Sequence, residues 1–263
     1  MNAFFVKGYT VDALAMILLC IAVWVLITRA RAGMKIPAIN KIAGLEALDE
    51  AVGRATEMGR PVHTTHGLGG VSDAETFAFW GVLGHVANMC AKYDCRLINT
   101  CRSYLVMTVN TEIIKQSYLE AGRPDAFNPD DVRYLSPSQF GYTTAVVGIF
   151  AREKPAANIM VGYFYAEALT LAEVGSQVGA VQISGTTSTA QLPFFVVACD
   201  YTLIGEEIYA ASAYISKNPV LVGSLVAEDW YKILIIAAVL VGTVIANVIG
   251  PKDKNWLAEF LKK

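Results

Sequence analysis

The sequence is poor in the groups that usually announce chemistry. Charged residues make up 17% of its 263 positions, histidine occurs three times, cysteine five times, and the formal net charge is -2. A strongly basic stripe is absent, which excludes the electrostatic footprint of a nucleic-acid partner. The patterns G-x-S-x-G, G-x-x-x-x-G-K-[ST] and H-E-x-x-H are missing, so nothing marks a nucleophile elbow, a phosphate loop or a zinc-protease helix. No internal repeat and no low-complexity linker interrupts the chain. With so few cysteines and ample length for a core, reduced thiols are expected rather than disulfide staples.

Apolar surface is abundant instead: 54% of residues are hydrophobic, and the mean hydropathy is +0.43. Two segments, Val11–Thr28 and Ile233–Gly250, contain no Lys, Arg or Glu, with Asp12 at the extreme end of the first. Each approaches the ~20 residues a helix needs to cross a bilayer. Ala30-Arg31-Ala32 imitates a signal-cleavage site, but the apolar run is too long and only Lys7 precedes it, so a retained anchor is expected. Arg29, Arg31, Lys35 and Lys41 follow the first segment, placing the intervening domain in the cytoplasm by the positive-inside rule. The second segment votes otherwise: Lys252, Lys254, Lys262 and Lys263 trail it, against Lys217 and Lys232 ahead of it. The expected layout is an N-terminal tail over 1–10, a transmembrane helix over 11–28, a soluble domain over 29–230, a second transmembrane helix over 231–250 and an interfacial tail over 251–263. The implied setting is a cell membrane, with lipid as one partner.

Within the domain, helical and β-like runs alternate. Ile42, Leu45, Leu48, Val52 and Ala55 recur at helical spacing until Gly59 and Pro61 end the helix. The runs Val62–Thr65, Arg96–Thr100, Val132–Leu135, Asn158–Tyr165 and Ala180–Ile183 read as strands, separated by helices over Ala74–Lys92, Ser103–Ala121, Pro137–Arg152 and Leu169–Val178. Thr186–Ser216 reads as mostly helical, with Phe194–Cys199 as a possible sixth strand. This succession predicts a Rossmann-like α/β fold, a largely parallel sheet with helices on both faces.

In such folds ligands gather beyond the carboxyl ends of the strands. The residues expected there are His63, His66, Gly67, Gly69, Cys101, Arg102, Ser103, Glu167, Thr186, Thr187 and Ser188. Glycines and hydroxyls at helix starts expose backbone N–H groups to an anion, and Arg102 adds a charge-assisted contact; Ser103, Ser138 and Ser188 serve equally well as helix caps. Gly67-x-Gly69 imitates a dinucleotide fingerprint, but Ser72 holds the third glycine position and Cys101-Arg102 replaces the acidic residue, so no nicotinamide cofactor is assigned. His63 and His66 with Cys90, Cys95 and Cys101 lack zinc-site spacing, and no metal is assigned. Cys101, at a strand end near the two histidines, is the one candidate nucleophile. His85 reads as a satisfied buried histidine, and Glu206 and Glu207 as a solvated helix face.

The second apolar segment carries Ala238, Gly242, Ala246 and Gly250 at every fourth residue, a small-residue stripe that admits another helix at close range. The stretches Gly44–Pro61, Ala78–Thr108 and Gly162–Gly185 resemble an uncharacterised prokaryotic membrane-anchored family, a domain of unknown function. That resemblance implies the two-anchor architecture and no catalytic residues. The expected function is a membrane-anchored scaffold that forms a homo-oligomer or holds a membrane-protein partner. The alternative is a binding domain or enzyme for a small anionic or nucleotide-like ligand at the strand ends.

Overall fold

The computed structural model describes residues 10–32, 43–216 and 219–249. The chain divides into two units, one of residues 39–216 and one of residues 1–38 with 217–263.

In the first unit the elements follow the hydrophobic pattern closely. They run α2 (Ala43–Met58), β1 (Val62–Gly67), α3 (Ala74–Tyr93), β2 (Leu97–Cys101), α4 (Tyr104–Glu120), β3 (Val132–Tyr134), α5 (Gln139–Glu153), β4 (Ala157–Tyr163), α6 (Glu167–Gln177), β5 (Val181–Thr186), α7 (Leu192–Ala198), β6 (Tyr201–Ile204) and α8 (Glu207–Ser216). All six strands are parallel, in the order β3-β2-β1-β4-β5-β6. The expected parallel α/β sheet is therefore present. The sixth strand is Tyr201–Ile204, whereas Phe194–Cys199 is not a strand: Leu192–Ala198 is helical. A short apolar run fits either state. Here Pro193 in the first turn favours the helix, and Phe195 alone is fully buried, which is not a strand's two-residue period.

Each sheet face is sealed by its own core. On one side Leu48, Phe79, Leu83 and Val86 of α2 and α3 pack over Val62, Leu97, Ile159 and Ile183. On the other, Tyr142, Phe150, Leu171 and Phe195 of α5, α6 and α7 pack over Ile98 and Met160. Each such side chain contributes roughly 1.5–3 kcal/mol on burial. The amino ends of the strands are tied by arginine. The Arg60 guanidinium donates to the carbonyls of Lys154, Pro155 and Val178 at 2.5, 3.0 and 2.8 Å. Arg96 grips Asp131 with two bonds of 2.9 and 2.6 Å, and Arg133 adds a third of 3.0 Å. Burial alone would raise the Asp131 pKa, but the Arg96 and Arg133 guanidiniums hold it below the ordinary carboxylate value.

The second unit contributes α1 (Thr10–Arg31) and α9 (Pro219–Ile249). Gly223 lets them meet: a Cβ there would stand 3.1 Å from Ile27 Cα and 3.3 Å from Ala30 Cβ. Among the described residues no helix is long and apolar enough to cross a membrane. The tail over 251–263 lies outside the described residues.

Candidate functional site

The helices connecting β1 to β3 lie on one face and those connecting β3 to β6 on the other. The strand order therefore reverses between β1 and β4, and the loops after these strands part company there. That is the switch point where doubly wound sheets place ligands. The chain fills it in an unusual way, beginning with polar residues inside the strands themselves.

His63, far from facing a crevice, is fully buried beneath α5. Its Nδ1 lies 2.9 Å from Asn158 Oδ1 and its Nε2 3.0 Å from Thr100 Oγ1. Asn158 Oδ1 only accepts, so Nδ1 carries the proton and the Thr100 hydroxyl donates to Nε2. The direction then propagates across four strands. Tyr142 OH donates to Thr100 Oγ1 at 2.9 Å, and the Thr65 hydroxyl donates to Tyr142 OH at 2.5 Å. In the opposite direction Asn158 Nδ2 donates to Gln182 Oε1 at 3.1 Å, and Gln182 Nε2 ends the chain on the Ala172 and Ala198 carbonyls. Burial lowers the His63 pKa to about 4, with the Asn158 bond opposing and Arg133 assisting, so the ring is neutral. Such a fully satisfied network fixes the register of β2, β1, β4 and β5.

The opposite face holds a second network. Trp80 Nε1 donates to Asn110 Oδ1 at 2.8 Å, Asn110 Nδ2 to Asn99 Oδ1 at 2.9 Å, and Asn99 Nδ2 to Thr64 Oγ1 at 3.0 Å. Cys101 belongs here: its thiol donates to Asn99 Oδ1 at 3.0 Å and receives Asn110 Nδ2 at 3.2 Å. Burial drives its pKa up to about 12, despite the opposing Asn110 bond. A thiol that stays protonated in a closed network is no nucleophile at neutral pH. His63 is on the other face, and no hydrogen bond joins either ring nitrogen of His66 to Cys101.

The glycine turn is held tightly. Gly67 has φ +72°, and a Cβ there would stand 2.3 Å from the Tyr163 carbonyl; one on Gly69 would stand 2.5 Å from Thr76 Oγ1. Only glycine permits this approach of the β1 and β4 loops. Leu68 N–H donates to the same Tyr163 carbonyl at 2.8 Å. Beneath the turn lies His66, fully buried against Phe79. Burial lowers its pKa to about 4, with Gly69 and Asp73 opposing and Arg102 assisting. Thr76 Oγ1 beside it is buried without a partner.

At the strand ends the backbone amides expected to receive an anion are already taken by the chain's own side chains. Asp73 Oδ2 accepts from Gly70 N–H at 2.7 Å, reaching back from the N-cap of α3 rather than forward into it. Thr65 Oγ1 accepts from Gly67 N–H at 3.1 Å, Glu167 Oε1 from Tyr165 N–H at 2.9 Å, and Thr186 Oγ1 from Ser188 N–H at 3.2 Å. Glu167 is buried and also accepts from Gln139 Nε2 at 2.6 Å. Thr187 donates to Glu75, bridging the loop after β5 to the first turn of α3. Asp73, Glu75 and Glu167 thus stand at this edge, with Arg102 half-buried nearby. Ser103 and Ser138 sit at the N-caps of α4 and α5, but neither hydroxyl makes a cap bond; Ser188 instead offers its carbonyl to Gln191 and Leu192 N–H. Among the described residues no group of three or more His, Cys, Asp or Glu side chains is gathered as for a metal.

Other sequence expectations fall away from the strand ends. His85 is half-exposed rather than buried, its Nε2 2.8 Å from Asp49 Oδ1 of α2. Glu207 Oε2 accepts from Ile204 N–H at 2.9 Å. Of the small-residue stripe, Ala238 is exposed and a Cβ on Gly242 would meet nothing within 4 Å; the Ala246 side chain and Gly250 lie outside the described residues. Sequence reasoning passed over Tyr142, Asn158, Gln182 and Asn110. For Asn158 and Gln182 the signal was available in polar residues standing inside strands buried on both faces, whereas Asn110 and Tyr142 stand on α4 and α5, where no such signal marks them.

No curated protein and no solved structure shows a significant match to the chain. One family profile covers residues 1–257, which is nearly all of it. The chain belongs to that family, described as a domain of unknown function, DUF6754.

Proposed function

We propose that this protein is a membrane-anchored scaffold whose sheet domain assembles with further copies of itself. The observation that carries the reading is the apolar strip on α7 and β6. Among the described residues the sheet ends at β6, whose Ile204 N–H is taken by Glu207; on α7 Phe194, Val196 and Val197 are exposed, Val197 to 87%, and Tyr201 and Ile204 are exposed on opposite faces of β6. An open strand edge flanked by apolar side chains is a template for association. The self-satisfied amides at the carboxyl edge support the same reading, because they leave a small anion little to replace.

The anchoring part rests on α1 and α9. Met16, Ile17, Leu18, Ile21 and Trp24 are exposed on α1, and Ile233, Leu234, Ile235 and Ile236 are four consecutive exposed residues on α9. A helix that is apolar all round requires burial in protein or lipid. In the sequence the apolar run of α9 continues through Ile245, Val248 and Ile249, and a 31-residue helix extends about 46 Å. The domain faces the cytoplasm on the charges after the first anchor.

A native mass spectrum of the full-length protein in mild detergent tests the reading. A ligand-free multimer that Val197→Glu dissociates is the expected result; a monomer carrying a bound small molecule overturns it. The strand order favours a second reading, a nucleotide-like or anionic ligand at the switch point, because this is the order of dinucleotide-binding sheets. There Arg102→Ala removes a retained ligand and leaves assembly unchanged.

A further inference from the structure

The amino-terminal edge of the sheet, opposite the switch point, carries a feature that neither function absorbs. A cavity of about 480 Å³ opens beside the ends of α3 and α4 and the starts of β2 and β3, within the roughly 300–1,000 Å³ of small-molecule pockets. Two helix caps border the space. Asp94 adopts the left-handed conformation at φ 57°, and the Cys95 N–H turns back to donate to the Cys90 carbonyl at 2.8 Å. Gly122 does the same for α4 at φ 75°, where the Arg123 N–H donates to the Tyr118 carbonyl at 2.9 Å. These are the six-to-one bonds of Schellman motifs, which turn each chain out of its helix axis.

The cavity has apolar walls and a charged rim. Leu97, Ile114 and Val132 are core side chains that line it, and Phe127 packs edge-on against the Tyr118 ring at 6.0 Å to complete the wall. Tyr118 is 5% exposed, and its hydroxyl makes no hydrogen bond among the described residues. Buried polar groups ordinarily find a partner, so this one calls for an explanation. Burial, with Asp131 and Asp94 among the further causes, raises its pKa, and the hydroxyl keeps its proton. The Cys95 thiol, by contrast, is turned to the Arg60 and Arg96 carbonyls at 3.6 and 3.9 Å.

The lining carries three carboxylates, Asp94, Asp125 and Asp131, against two guanidiniums, Arg96 and Arg123. Both guanidiniums are taken: Arg123 pairs with Asp94 at 2.6 Å, and Arg96 with Asp131 at 2.6 Å and Glu153 at 2.9 Å. Behind them Arg133 balances Glu153, with which it pairs at 3.3 Å. One negative charge is left over, that of Asp125, which stands outside these pairs. An anion meets no available cation here, whereas a protonated amine meets a carboxylate, a hydroxyl oxygen and two aromatic rings. We propose that the cavity binds a small organic amine in its ammonium form. Asp125 and the Tyr118 hydroxyl accept its N–H groups, and Leu97, Ile114, Phe127 and Val132 receive its apolar body.

The test is a calorimetric titration of the full-length protein in non-ionic detergent at neutral pH, with three probes that share one apolar body: 2-phenylethylamine, 2-phenylethanol and 3-phenylpropionate. Saturable binding of the amine is expected, with the alcohol weaker and the carboxylate weakest. Asp125→Asn, at an exposed position where the change leaves the fold intact, is expected to weaken the amine about three- to fivefold and to leave the alcohol unchanged. Tyr118→Phe, which keeps the ring and removes the hydroxyl, is expected to weaken the amine about tenfold. Absence of saturable amine binding overturns the proposal. So does a carboxylate that binds as tightly as the amine, or amine binding that both variants leave unchanged.

Discussion

His63 and His66 are two buried imidazoles three residues apart with opposite circumstances, and the contrast gives a measurable consequence. Both have a pKa lowered from 6.5 to about 4 by burial. In the unfolded chain they titrate near 6.5, so between 6.5 and 4 the unfolded state binds more protons and stability falls as pH falls. Stability is complete above that window, and each ring forfeits about 3 kcal/mol across it. Urea unfolding followed from pH 7 down to pH 4 is expected to show this loss, and a flat profile would refute it. At pH 7 the rings separate. His63→Met orphans Asn158 Oδ1 and the Thr100 hydroxyl and is expected to cost about 3 kcal/mol. His66→Met removes a ring whose one polar contact is the Gly69 backbone, so it is expected to cost less than His63→Met and to halve the acid sensitivity.

At the scale of elements, helix and strand positions were largely legible because hydrophobic period and Gly or Pro punctuation agree in this sequence. Gly59 and Pro61 end α2, Gly122 follows α4, and five of six strands lie where β-like runs predict them. The miss, α7, is a run too short for its period to speak, although Pro193 in its first turn favours the helix, and the edge slot went to Tyr201–Ile204. Helix ends are a further case. Lys154 closes α5 in the left-handed conformation at φ 48°, where a Cβ is strained. Lys154→Gly is expected to raise stability by ~0.5–1 kcal/mol, read as a higher thermal midpoint. A lower midpoint would mean that the lysine side chain has a stabilising contact outweighing the strain. The candidate site was less legible than the elements. Serines 103 and 138 stand at N-caps as the pattern suggests, yet their hydroxyls leave the helices uncapped, since bond direction is not written in residue type.

For the whole molecule, the reading as an anchored assembly makes a prediction separate from the mass spectrum. Alkaline carbonate strips proteins held at a membrane by charge or by a partner, whereas helices in lipid remain. The full-length chain is expected in the carbonate-resistant membrane fraction, and replacing Ile235 and Val239 with lysines is expected to release a substantial share, because charge at a bilayer centre is costly. Quantitative extraction of the native sequence would remove the anchoring proposal while leaving edge-to-edge assembly to be judged by Val197→Glu.

The sequence by itself determined the alternation of helix and strand, the parallel sheet, and the concentration of polar groups at strand ends, because each follows from spacing along the chain. Strand order had to come from tertiary structure, since parallel strands joined by helices leave their neighbours open until the faces are packed. The same holds for Cys101 and the two histidines, which sequence brought close and the sheet's pleat sorted to different partners. It holds most plainly for the end of α3, where the bond from Cys95 N–H to the Cys90 carbonyl depends on one residue, Asp94, taking a left-handed turn that no periodicity records.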